Sequence, residues 1–197
     1  LALQNNVRGW GGILARTGQY SLRSSYRQQG DHVMILTLFT LFHVAISLVG
    51  IISGLVVALA LLKSKRSDCW TMLFLATTAL TSITGFMFPF HGFKPSYVLG
   101  ILSLIVLTPA YIARYRKRMA GHWRAVYVIT AMIALYFNVF VLIVQSFMKV
   151  PALHALAPTQ SEPPFAITQL IVLVIFIVLT ILAAIKFHPE KSGIAGA

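Results

Sequence analysis

The sequence predicts an all-α fold, an integral membrane bundle of five transmembrane helices, and three observations carry that prediction. Five long apolar segments, residues 32–62, 70–90, 97–113, 123–147 and 165–185, contain no Asp or Glu. Hydrophobic residues make up 58% of the chain and charged residues only 10%, so little of it lies outside a bilayer. The breaks between segments are short and basic or proline-bearing, unlike ordinary soluble loops. Unpaired backbone groups find no partner in lipid, and these segments are too long and continuous for barrel strands. Helices follow.

Residues 1–30 read as a basic, interfacial N-terminal segment, 31–188 as the five-helix domain and 189–197 as a short tail. Arg8, Arg16, Arg23 and Arg27 face anionic headgroups in this reading, with Trp10, Ile13, Leu14, Tyr20 and Leu22 touching the membrane. Gly9, Gly11, Gly12 and Gly18 are expected to interrupt any helix there. No apolar run marks a signal peptide within these residues.

Asp31 suits the free amides at the start of the first helix. That segment exceeds the roughly 20 residues one crossing needs. Its Ser47, Gly50, Ser53, Gly54 and Ala58 recur on related faces, as a packing seam or a ligand groove would require. The second segment carries Thr71, Thr77, Thr78, Thr81, Ser82 and Thr84. Such hydroxyls bond back to their own helix or across to another. Phe86, Phe88, Phe90 and Phe93 then surround Pro89 and His91, either as interfacial anchors or as a frame for a flat ligand. Pro109 kinks the third helix or marks its last turns. The basic-aromatic run Tyr111, Arg114, Tyr115, Arg116, Lys117 and Arg118 follows, suited to lipid headgroups or to a specific phosphate ligand. Asn138 lies deep in the fourth helix, where an amide needs another polar group: a neighbouring helix or a bound cofactor. Residues 150–164, with four prolines and Glu162, read as an outer loop with ordered turns.

The net charge of +12 sits between the apolar spans, so headgroups rather than nucleic acid are the expected partners. Cys69 is the only cysteine and cannot close an internal disulfide. The third loop, with Arg114, Arg116, Lys117, Arg118 and Arg124, gives the strongest positive-inside signal. The chain is therefore placed in a cell inner membrane, N-terminus outside and C-terminus cytoplasmic, although the basic N-terminal stretch votes the other way.

No dinucleotide, phosphate-loop or metalloprotease motif is present. The acids Asp31, Asp68, Glu162 and Glu190 all fall outside the spans, which disfavours paired-carboxylate chemistry. No catalytic residue is assigned. The histidines offer two binding readings. His43 and His91 supply axial imidazoles to a haem, with Phe86, Phe88 and Tyr97 near its plane and Asn138 a further cofactor contact. Alternatively His32, His91 and His154, all on the outer side, hold a metal ion. His43, three turns into the first helix, is a functional candidate because an ionisable group in lipid is costly; its bland role is an imidazole bonded to a neighbouring hydroxyl. A polar transport route is a weaker fit, lacking a selectivity motif or inverted repeat. The expected function is that of a non-enzymatic membrane protein, packing as a homo-oligomer or with other membrane subunits. A haem- or quinone-associated redox protein is the alternative.

Overall fold

The computed structural model describes residues 2–88 and 95–188, with side chains from residue 27 onward except at 95 and 96. Its elements are helical: α1 Ala2–Leu62, α2 Asp68–Gly85, α3 Pro95–Tyr111, a π-turn Ile112–Arg116, α4 Trp123–Lys149, α5 Pro151–Leu156 and α6 Pro163–Lys186. Helix α1 begins at Ala2, so Gly9, Gly11, Gly12 and Gly18 do not interrupt it. Glycine costs a helix about 1 kcal/mol per residue but removes no hydrogen bond, and the sequence reading gave that cost too much weight.

Among the described residues four helices, not the expected five, are long and apolar enough to cross a membrane: Arg27–Leu62, Tyr97–Arg116, Trp123–Lys149 and Pro163–Lys186. Segment 70–90 is the one that falls short. Its helix α2 stops at Gly85 after 18 residues, and the hydroxyls dispersed along it lower its apolarity. Those hydroxyls are largely inward: Thr71, Thr78, Ser82 and Thr84 are buried beside Phe74 and Leu75. Thr77, Ser82 and Thr84 bond to their own backbone, Thr77 to Leu73 O at 2.7 Å and Ser82 to Thr78 O at 2.9 Å, while Thr71, Thr78 and Thr81 reach side chains of other helices.

The chain divides into two compact units, Leu1–Phe42 and His43–Ala197. In the first, Val33, Ile35, Leu38 and Leu41 are exposed, and the Thr37 and Thr40 hydroxyls donate to the carbonyls of Val33 and Leu36. In the second, α4 is the central element, in contact with α2, α3, α5 and α6. Its buried face presents Tyr127, Val128, Ala131, Met132 and Leu135 to the core. Helix α6 is peripheral, with only 6% of its most apolar stretch buried. Among the described side chains, Gln169 of α6 keeps one amide oxygen buried and unpaired while its Nε2 donates to Phe140 O at 3.3 Å.

Three chain segments meet at one end of this unit. Asp68, at the start of α2, is ion-paired with Arg114 of the π-turn. The His188 amide donates to Ser64 Oγ at 2.8 Å, and Phe187 lies 6.4 Å from the Tyr127 ring. The first loop, the third loop and the end of α6 therefore share one basic end, the grouping that the charge pattern predicts. The α4–α6 connection lies elsewhere: Glu162 occupies the N-cap position of α6 without a side-chain capping bond, ahead of Pro163 and Pro164 in a first turn that suits proline. Its carboxylate accepts from Thr159 N and Oγ1 and from Ser161 N. Slight desolvation pushes the Glu162 carboxyl up, but these hydrogen bonds together outweigh it and hold the group below its ordinary value.

Candidate functional site

A polar seam joins α1, α2 and α4 on the side of the unit away from the basic loops. It begins with small residues. Around Gly50, a Cβ would meet Thr77 Oγ1 at 3.2 Å, Thr78 Oγ1 at 3.5 Å and Asn138 Nδ2 at 3.7 Å. The absent side chain lets α1 lie against polar groups of two other helices, the close approach that small-xxx-small spacing permits. Asn138 Nδ2 donates to the buried Thr78 Oγ1 at 3.0 Å, so the amide bridges α4 and α2. Of the two sequence readings for Asn138, the interhelical one describes its observed contact.

His43 lies further along the seam. It lies roughly 28 Å of helix from Leu62, level with the last turn of α2. Its Nδ1 lies 2.8 Å from Thr84 Oγ1. That hydroxyl also donates to Leu80 O at 2.8 Å, with Thr81 O at 3.2 Å. Since the Thr84 proton is used on a carbonyl, the bond to His43 is satisfied when Nδ1 carries the imidazole proton. Nε2 then bears the lone pair. Phe88 meets the imidazole edge-on at 5.1 Å between centroids, and a Cβ on Gly85 would come within 3.8 Å of His43 Cε1. An imidazole fixed through Nδ1 with a basic Nε2 is chemically suited to coordinate a metal centre or to accept a proton from a hydroxyl or quinol.

The structure brings only some of the predicted site residues together. His43, Phe88, Thr84 and Asn138 belong to one seam. His91 lies outside the described residues. Phe86 stacks on Tyr97 at 6.0 Å and would touch any Cβ at Gly100, so these two rings are engaged with each other. His32 and His154 are exposed. No group of three or more His, Cys, Asp or Glu able to hold a metal ion occurs among the described residues. Thr84 and Thr78, the partners that fix His43 and Asn138, were visible in the sequence as hydroxyls, but their pairing was not. Comparison with protein-family models, characterised proteins and solved structures gives no match to this chain.

Proposed function

We propose that this chain is a non-enzymatic, multi-pass inner-membrane protein that serves as an oligomeric or accessory subunit of a membrane complex. In this reading α2 crosses beside the four longer helices, which puts the N-terminus outside and the C-terminus cytoplasmic. The observation that carries the reading is the apolar length of α1. Residues 33–62 amount to about 45 Å of helix, against a hydrocarbon core of about 30 Å. Tilt alone would have to approach 50°, beyond the range of roughly 0–40° that transmembrane helices adopt. The surplus, with Val33, Met34, Ile35, Leu38, Leu41 and Phe42 all exposed, calls for cover by protein as well as lipid. Consumption of the intramembrane hydroxyls by helix carbonyls further favours a packing role over a polar pathway.

A second reading, a haem- or quinone-associated redox protein, is favoured by the geometry at His43. Its Nε2 lone pair is one that can be donated to a haem iron or can accept a proton from a quinol, and Phe88, three residues before His91 in sequence, lies edge-on to the ring. One preparation tests both. The intact protein is extracted in mild detergent, sized by light scattering, analysed by mass spectrometry for co-purifying chains, and scanned oxidised and reduced in the visible. A colourless assembly larger than a monomer is the expected result; a monomer with unaided turnover would overturn the subunit reading. A near-stoichiometric haem band that vanishes in His43→Ala and persists in His188→Ala would put the redox reading first.

A further inference from the structure

The basic end holds an arrangement that the seam does not explain. Pro109 removes a backbone donor in the last turn of α3, and the chain then widens into the π-turn. The wider turn gives neighbouring basic residues opposite environments. Arg116 is exposed, whereas the Arg114 side chain is only 6% exposed. Its guanidinium lies 5.7 Å from the centroid of the Tyr127 ring, Nη2 donates to Asp68 Oδ1, and Nη1 reaches the Met119 sulfur at 3.5 Å. Two of five N–H donors are thereby engaged.

A simple staple between α2 and the π-turn needs one cation for one carboxylate. Here Arg66 Nε also lies 3.7 Å from the same Asp68 oxygen, and the exposed Lys65 lies next to Arg66 in the chain. Two cations therefore share one oxygen of a carboxylate that is itself 68% exposed, Lys65 lines the same cleft, and positive charge remains uncompensated. Helix α2 adds to it. Ser67, at its N-cap, lines the same cleft and makes no side-chain capping bond, which leaves first-turn amides at the positive end of the helix without that cap. Lys65, Arg66, Ser67, Thr71, Arg114 and Tyr127 line a cleft of about 10 Å³, enough for one water at most. An anion must sit at the mouth, against Arg66 and Lys65, with Arg114 behind.

We propose that this cleft mouth binds a phosphate group, carried by an anionic lipid headgroup or by free phosphate. Arg66, Lys65 and the α2 amides contact it, and Arg114 supplies buried charge. Asp68 has two roles: it holds Arg114 in place and competes with the bound phosphate. The site is independent of the subunit reading and of His43.

The test is native mass spectrometry of the full-length protein in detergent, offered phosphatidylglycerol and phosphatidylcholine together, with and without millimolar inorganic phosphate. The wild type retains phosphatidylglycerol preferentially. Arg66→Gln lowers that preference about fivefold, the scale of one basic residue at an anionic surface. Lys149→Gln, outside the basic end, leaves it unchanged. Asp68→Asn raises it, the opposite of what loss of a purely structural salt bridge would do. Displacement of the lipid by inorganic phosphate assigns recognition to the phosphate alone; persistence assigns it to the lipid headgroup with its chains. Equal behaviour of Arg66→Gln and Lys149→Gln, or a folded Asp68→Asn that binds no better, overturns the proposal.

Discussion

At Gly54 the contact between helices depends on a hydrogen atom. A Cβ there would lie 2.5 Å from Leu135 Cδ1 and 2.9 Å from two carbons of the Phe74 ring. Leu135 and Phe74 are each only 1% exposed, so neither has room to withdraw. Gly50, one turn earlier, meets its nearest neighbour, a threonine hydroxyl, at 3.2 Å. Overpacking a tight core costs about 1–3 kcal/mol, and Gly54→Ala should fall in that range, with Gly50→Ala well below it. Thermal unfolding of the two variants side by side in one detergent checks this; equal midpoints would show that α1 shifts to absorb the methyl. The sequence displayed the glycine pair as a seam, but one-dimensional spacing could not say that one glycine faces apolar packing and the other a cluster of hydroxyls.

Among the elements, α2 is the one whose character changes most between sequence and structure. Read as a run of apolar residues broken by hydroxyls, it looked like a fifth span. In three dimensions its hydroxyl face is turned to its neighbours, and α4 is tied to it at two heights, by Tyr127 to Thr71 at 3.1 Å and by Asn138 to Thr78 at 3.0 Å. The amide bridge predicts a measurable coupling. Thr78→Val leaves the Asn138 amide without its acceptor, and Asn138→Leu removes the donor. A double-mutant cycle on unfolding should return about 0.6–1.7 kcal/mol, the scale of interhelical hydrogen bonds in membrane proteins. A coupling near zero would mean that Asn138 pairs equally well elsewhere and that α2 and α4 are held by packing alone. Hydroxyl-rich composition was legible along the chain because it is a property of each residue. The pairing was not, because it depends on helix rotation, and the π-turn that buries Arg114 leaves no trace in the residues beyond Pro109.

At the scale of the whole molecule, charge and topology agree within the second unit. The first loop, the third loop and the end of α6 are joined by the Asp68–Arg114 ion pair and the His188–Ser64 hydrogen bond, so the densest basic positions share one end. Grouping by charge was legible from sequence because positive-inside bias is additive over loops. Which end faces the cytoplasm is set by that bias alone. The chain carries its own reporter for it: Cys69, the single cysteine, is exposed beside Asp68 at the basic end. A membrane-impermeant maleimide should label Cys69 in inverted vesicles and spare it in intact spheroplasts. In a Cys69→Ala background, Thr159→Cys, in the exposed α4–α6 connection, should show the reverse. Labelling of Cys69 from outside together with Thr159→Cys from inside would keep the bundle and invert it. If both positions react from the same side, one of α2, α3 and α4 does not cross the bilayer, α2 first in question because it falls short of the other spans, and the membrane-spanning arrangement itself must be redrawn.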